Sequence, residues 1–246
     1  MLAVLCVSGV LLGGRVEAAE LSTVLARHVD SAGRVDYAAA AGDAELEAVV
    51  AALATASEPA EGPARMAFWI NAYNVLTVDL VADHWPLSSI RDLDEGNPWD
   101  ARKFNVVGRQ VTLNDIEHRI LRPMGDARIH AAVNCASLGC PPLAPTPFTA
   151  AGLDAQLDAA SARWASSTGV QIDKAKSTVA LNKIFDWYGD DFAPGATGDV
   201  PGVEGKQDAA LQYLAAHLPD DAAAWLMAGG YSVSWAAYSW QVNAQK

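Results

Sequence analysis

The sequence is poor in cysteine and in basic residues. Its 246 residues include three cysteines, Cys6, Cys135 and Cys140, and 17 lysines and arginines against 29 aspartates and glutamates. The net charge of -12 argues against nucleic acid and anionic lipid as partners, because binding to either depends largely on clustered Lys and Arg. Scarce cysteine restricts any chemistry of a thiol, a disulfide or a soft metal to very few positions.

The chain also lacks a hydrophobic run long enough to cross a membrane. Its first apolar run, Leu2–Leu12, is too short to span a bilayer. Small residues follow at Ala18-Ala19, a pattern typical of a secretory signal peptide. We therefore expect residues 1–19 to be a signal peptide and residues 20–246 to form one soluble globular domain, located in the periplasm or secreted. A buried N-terminal helix is the alternative, but Gly13-Gly14 would interrupt it.

Helical spacing of apolar residues is the dominant pattern in the rest of the chain. The ranges that share this spacing are Leu21–Val29, Ala44–Ala56, Arg65–Trp85, Asp115–Arg122, Leu153–Ala165, Ile184–Tyr188 and Asp208–His217. Thr112 and Asp115 form a capping-box pattern ahead of the fourth helix, which carries Glu117 and His118 on its flanks. These patterns predict a fold rich in helices.

Strand patterns are fewer and shorter. Phe104–Leu113 predicts a β-hairpin with a type II′ turn at Gly108-Arg109. Further strands are predicted over Thr178–Leu181 and Tyr231–Trp240, whereas Ile129–Asn134 fits either a strand or a helix. Together the patterns predict an α+β fold, a helix-dominated single domain with a small, mainly antiparallel sheet built from the hairpin and the C-terminal segment.

The segment from Arg128 to Leu143 concentrates reactive side chains in an apolar, alanine-rich background. The residues that share this property are His130, Asn134, Cys135, Ser137 and Cys140. On the longest predicted helix, Asn71 and Asn74 are a second pair of polar groups among apolar ones. Buried amides need partners, so they either orient loops, the preferred interpretation, or line a site.

Three hypotheses explain the cysteine segment. In an oxidising compartment, Cys135 and Cys140 can form a disulfide that closes a tight loop. A catalytic site would instead use Cys140 as nucleophile, His118 or His130 as base and Glu117 or Asn134 to orient the histidine. Cys140 is preferred to Cys135 as nucleophile, because the flanking glycine and proline predict an exposed turn. Two histidines and two cysteines also have the donor types of a zinc site, although their spacing is unusual.

The eight tryptophans are mostly expected in the core, with some available to line a groove for a ligand.

Several short motifs, taken in chain order, resemble the family called domain of unknown function 547. The motifs are Phe68–Asn74, Ser89–Arg91, Ile116–His118 with Ile120–Pro123, His130–Leu143, and Ile184–Tyr188 with Asp191-Phe192. The resemblance runs from about Val24 to Asn243 and is to bacterial exported members. Since the family has no established common activity, the resemblance implies the boundaries of a domain and the place of a site rather than a reaction.

The chain departs from the family pattern near its C-terminus. Bacterial members typically have Tyr-Asp-Trp-x-Leu-Asn, whereas Tyr238–Asn243 has Ser239 at the aspartate position. If that aspartate orients a histidine in relatives, this chain either lacks this interaction or uses another acidic residue for it.

Two functions are expected from these observations. The first is a thiol-dependent hydrolase or transferase acting on an envelope peptide or amide, with Cys140, His118, His130 and Glu117 as catalytic residues. Its substrate would be bound by Asn71, Asn74, Asn134 and Ser137. The second is a non-catalytic envelope binding module with a disulfide-stapled loop. No cofactor or metal is part of either, and the envelope ligand and oligomeric state are not specified by the sequence.

Overall fold

The structure, a computed structural model, describes the backbone of residues 13–246 and the side chains from Glu20 onward. The predicted signal peptide depends on the apolar run Leu2–Leu12, which lies outside the described residues, as does Cys6. Within the described chain, no helix combines the length and the apolar character needed to cross a membrane.

Helices dominate the fold, as predicted. They are α1 (Gly13–His28), α2 (Tyr37–Ala40), α3 (Ala44–Thr55), α4 (Pro63–Asp83), α5 (Pro98–Ala101), α6 (Ile129–Ala132), α7 (Leu153–Trp164), α8 (Lys183–Trp187), α9 (Gly189–Phe192), α10 (Gly205–His217) and α11 (Asp220–Ala228). A π-helical segment covers Asp115–Leu121. The strands are β1 (Phe104–Val106), β2 (Arg109–Val111), β3 (Val170–Asp173), β4 (Thr178–Leu181) and β5 (Ser232–Trp235).

Helix α4 lies at the centre of the domain. Its residues Trp69, Ile70 and Ala72 are completely buried, and it packs against α2, α3, α7 and the π-helical segment. Pro63 occupies its first turn, where a missing backbone N–H leaves no helical hydrogen bond unmade. The helix places Tyr73 and Asn74 at fixed positions in the interior, whereas Asn71 is partly exposed.

The predicted hairpin is confirmed, but its turn lies one residue earlier than expected. The two-residue loop is Val107-Gly108, and both residues have positive φ angles, 48° and 73°. This is the geometry of a type I′ turn, so the predicted type II′ turn at Gly108-Arg109 is wrong. The loop N–H groups donate to the carbonyls of Leu53 and Ala54 at the end of α3. These long-range bonds fix the register.

The predicted joint sheet of hairpin and C-terminal strand is also wrong. Strands β1 and β2 pair only with each other, and β5 joins a separate sheet in the order β3-β4-β5. Strands β3 and β4 are antiparallel, whereas β5 runs parallel to β4, with Leu181 opposite Trp235. The two sheets are small, and most strand pairs are antiparallel, in agreement with the predicted fold class.

The C-terminal segment after β5 is the element that closes the site. It runs beside residues 133–143, the loop after α6 that carries Cys135 and Cys140 and that we call the cysteine loop. There, Leu138 N donates to Gln241 O at 2.8 Å and Gly139 N to Ser239 O at 2.9 Å. Asn243 accepts the hydroxyl of Tyr37 at 2.7 Å. These bonds hold Tyr238 over the cysteines.

Candidate functional site

A cavity of about 280 Å³ opens between α4, the π-helical segment, the cysteine loop and the C-terminal segment. Its lining residues are Tyr73, Trp99, Asn114, Glu117, His130, Val133, Cys135, Cys140, Ile184, Trp187, Tyr188, Tyr238 and Trp240. The cavity therefore brings together Glu117, His130, Cys135 and Cys140, which the sequence analysis selected, with aromatic side chains from distant parts of the chain.

Four aromatic side chains form one wall of this cavity, which we call the aromatic wall: Trp99, Trp187, Tyr238 and Trp240. The Trp187 ring stacks on Trp240 at 5.8 Å between centroids, and Tyr238 lies 4.6 Å from Trp240. Trp187 is 42% exposed, the one large hydrophobic side chain in the described chain that is this accessible. Exposed indole beside a cavity differs from the core packing seen at Trp69 and Trp164, both completely buried. The wall is suited to ligand contact.

Glu117 also lines the cavity and is only 7% exposed. The hydroxyls of Tyr73 and Tyr188 hydrogen-bond its carboxylate, and burial, followed by the charge of Glu117, raises the pKa of both tyrosines well above that of an ordinary phenol. Both therefore stay protonated and donate. Glu117 belongs to the π-helical segment, a geometry often found at functional sites because it displaces side chains from the regular helical register.

His130 and His118 are joined through Arg122 and Asp191. His130 Nε2 lies 2.7 Å from Asp191 Oδ2, and Arg122 donates to the same carboxylate from Nε at 2.6 Å and from Nη2 at 2.9 Å. Arg122 Nη1 also donates to His118 Nδ1 at 2.9 Å. Because arginine only donates, His118 carries its proton on Nε2. Because a carboxylate accepts, His130 donates from Nε2, and in the neutral ring Nδ1 is then the nitrogen that can accept a proton.

This network is compact and partly buried. Burial alone would raise the pKa of Asp191, but hydrogen bonds from His130 and Arg122 outweigh it and hold the pKa of this carboxyl well below its usual range. The His130 ring also stacks on Tyr188 at 4.4 Å. The orientation of the His130 ring is therefore fixed by stacking on Tyr188 and by the hydrogen bond from Nε2 to Asp191.

Cys135 and Cys140 are within disulfide distance, with their Sγ atoms 2.15 Å apart. The Tyr238 hydroxyl lies 3.1 Å from each sulfur and 2.9 Å from Ser137 Oγ. Burial raises the pKa of Tyr238, so its hydroxyl stays protonated. The Tyr238 hydroxyl thus connects the aromatic wall to Cys135, Ser137 and Cys140 of the cysteine loop.

The expected exposure of the two cysteines is reversed. Cys140 is only 5% exposed, whereas Cys135 is partly exposed. The reason is that Asn182 Nδ2 donates to Gly139 O at 2.9 Å and Thr168 Oγ1 to Cys140 O at 3.1 Å. These contacts from distant residues draw the turn inward, so exposure gives no ground for preferring Cys140 as nucleophile.

None of the four predicted substrate-binding residues is in the lining of this cavity. Asn71 exchanges two hydrogen bonds with the backbone of Phe148. Asn74 donates to Ala132 O and accepts from Asn134 N. Asn134 in turn donates to Pro141 O at 2.7 Å. Asn74 and Asn134 therefore hold the cysteine loop in shape, whereas Asn71 fixes the backbone at Phe148.

Ser137 is almost completely buried and contacts Tyr238 rather than open space. The zinc hypothesis finds no support in the described residues, since no group of three or more His, Cys, Asp or Glu side chains is placed to hold a metal ion.

Asp191, Arg122 and Tyr188 belong to the site, although they were not among the predicted site residues. Ser239 stands where relatives have an aspartate, so a different acid would be needed to orient a histidine. Asp191 on α9 is such an acid, since it pairs with His130. Ser239 itself is exposed and contributes its backbone carbonyl to the cysteine loop. Asp191-Phe192 had appeared only as a motif, and nothing in its spacing indicated contact with a histidine 61 residues away.

A family model described as "Protein of unknown function, DUF547" matches residues 58–164. The matched residues carry Tyr73, Glu117, His130 and both cysteines, and they support the resemblance to this family. The match ends before Asp191 and the C-terminal segment. No curated protein and no solved structure gives a significant match.

Proposed function

We propose that this chain is an exported binding module whose aromatic cavity takes a small ligand and whose cysteine loop is stapled by a disulfide. The observation that carries the proposal is the pairing of Cys135 with Cys140 at the cavity itself. A paired sulfur is neither a nucleophile nor a metal ligand, so the loop serves as a rigid wall.

The same pair supports the proposal of export, because disulfides persist in the periplasm or outside the cell and are rare in the cytosol. The apolar opening Leu2–Leu12 is consistent with this location. Cell fractionation with N-terminal sequencing tests export, and recovery from the cytoplasm of a chain that still begins at Met1 would refute it.

Ligand binding at the aromatic wall is tested by a thermal-shift screen of small polar compounds. Compounds that raise the Tm of the wild-type protein are expected to lose this effect in the Trp187→Ala variant, because Trp187 is the exposed ring of the wall. Trp225→Ala is the matched control. Trp225 is not in the cavity lining, and its ring stacks on Tyr231 with 4.8 Å between centroids. Shifts that survive equally in both variants would place binding elsewhere.

The second candidate is the thiol-dependent hydrolase or transferase. It is favoured by the presence of Cys140, His130 and Glu117 in the lining of one cavity, with His130 oriented by Asp191. This reaction needs the reduced form. His130 Nδ1 would take the Cys140 thiol proton, and the thiolate would attack the carbonyl carbon of an amide. The C–N bond would then break as the imidazolium returns the proton to the leaving amine, and water or an acceptor amine would cleave the thioester left on Cys140.

Alkylation of the Cys135→Ala variant separates the two candidates, because this change frees the Cys140 thiol. The binding module predicts slow reaction with iodoacetamide at pH 7, at or below the rate of an ordinary cysteine of pKa ~8.5. Rapid reaction that His130→Ala slows by about tenfold would instead support an activated nucleophile.

A further inference from the structure

The Glu117 carboxylate is buried without a cation of its own. Among the described residues, no lysine, arginine or histidine forms an ion pair with it, although it is only 7% exposed. Its hydrogen-bond partners, Tyr73 and Tyr188, are neutral phenols. A buried carboxylate is costly unless a positive charge accompanies it. The cavity is the space from which such a charge can approach.

Arg122, whose charge interacts with that of Glu117, forms its hydrogen bonds and its ion pair with other residues. Arg122 is bidentate to Asp191 and donates its remaining amino group to His118. Its charge is therefore already balanced by the Asp191 carboxylate. The negative charge of Glu117 faces a cavity lined mostly by aromatic side chains, with His130 as the other ionisable side chain among His, Asp, Glu, Lys and Arg, and Asn114 as a neutral polar one.

The aromatic wall has the electrostatic character that favours a cation. The face of an indole or phenol ring carries negative potential and attracts positive groups within about 6 Å of the centroid. The chain's own arginines already use two of the rings near the cavity: Arg91 lies 5.1 Å from the centroid of Trp240, and Arg122 lies 5.2 Å from that of Tyr188. Neither arginine lines the cavity. Trp187 and Trp99 carry no such contact in the described chain.

We propose that the ligand is a small organic cation, bound through a substituted ammonium group between Glu117 and the aromatic wall. This inference rests on the proposed function, since it presumes a ligand in the cavity. The volume of about 280 Å³ lies near the lower end of small-molecule pockets, roughly 300–1,000 Å³, and suits a compact head group. The net charge of -12 also favours the approach of cations.

Isothermal titration calorimetry with a matched pair of probes tests the proposal on the wild-type protein. Choline carries a trimethylammonium group, and 3,3-dimethylbutan-1-ol has the same shape without the charge. Choline is expected to bind at least about tenfold more tightly than the neutral alcohol, because only a cation gains from the carboxylate and the ring faces.

Two variants locate the effect. Glu117→Gln removes the charge but keeps an oxygen that can accept from the tyrosines, and it is expected to weaken choline binding at least about tenfold while leaving the alcohol unchanged. Glu61→Gln, at an exposed glutamate, is the control and is expected to bind as wild type.

The outcomes separate the two proposals. Equal binding of choline and alcohol, both lost in Trp187→Ala, would overturn the cation but leave the ligand cavity standing. Choline binding that Glu117→Gln leaves unchanged in a folded protein would overturn the proposed site. If neither probe binds, the cation proposal is overturned, and the thermal-shift screen decides the ligand cavity independently.

Discussion

Replacing Asp191 with alanine is expected to lower the free energy of unfolding by about 3 kcal/mol, because removal of one partner leaves the others partly buried without compensation. Asp191 is the acceptor for both His130 and Arg122, and its side chain is 22% exposed while that of His130 is 1% exposed. Urea unfolding at pH 7 measures the change. The loss is large because one carboxylate satisfies three donor groups.

The neighbouring Asp190→Ala variant is the control, because Asp190 is exposed on the same helix. It should change the free energy of unfolding by less than about 0.5 kcal/mol, as is usual for surface positions. Equal effects at the two positions would show that the network does not stabilise the fold.

The low pKa of Asp191 also sets the sign of its pH dependence. A carboxyl whose pKa is lower in the folded protein than in the unfolded chain contributes its full stability above the unfolded value, which is 3.8 for this carboxyl. That contribution is lost as the pH falls through the folded value. The difference in stability between wild type and Asp191→Ala should therefore shrink as the pH falls below about 4.

Replacing Asp79 with asparagine is expected to stabilise the protein by on the order of 2 kcal/mol at pH 8. Asp79 lies on α4, where burial, followed by repulsion from Asp83 and Glu47, raises its pKa to about 7. The folded state then holds a proton that the unfolded chain releases near pH 3.8, the ordinary value for this carboxyl. Stability should fall as the pH rises from about 4 to about 7, and asparagine removes this cost.

Thermal unfolding at pH 4 and pH 8 checks this result, with Asp83→Asn as the control at an exposed position of the same helix. We expect the Asp79→Asn advantage at pH 8 to shrink strongly at pH 4, and Asp83→Asn to give a smaller gain. An advantage of the same size at both pH values would mean that the asparagine acts through packing rather than through charge.

Local sequence patterns predicted much of the fold. Helices α3, α4 and α7 begin and end within two residues of the predicted limits. The capping box at Thr112 and Asp115 is confirmed by reciprocal bonds of 3.0 Å. These features depend on residues three or four positions apart, which a sequence displays directly.

Features set by distant contacts were predicted poorly. The hairpin turn is shifted because the N–H groups of Val107 and Gly108 donate to carbonyls at the end of α3. The burial of Cys140 depends on hydrogen bonds from Asn182 and Thr168. Helix α11 was missed because a single buried residue, Leu226, gives it no periodic pattern.

The candidate site was predicted in part for the same reason. Glu117, His130 and the cysteines stand out in the sequence as polar groups among apolar ones. Asp191, Tyr188 and Trp187 do not, because they act on these residues only once α8 and α9 pack beside the cysteine loop. A motif of aromatic and acidic residues does not reveal which histidine it will face.

A count of free thiols in the native protein tests the central claim most directly. It is made on the exported chain, or on one carrying Cys6→Ser, so that only Cys135 and Cys140 can react. The disulfide-stapled module predicts no free thiol in the native or denatured protein before reduction, and two after reduction. One or two thiols that react in the unreduced native protein, rapidly and at neutral pH, would contradict it and support the thiol-dependent enzyme.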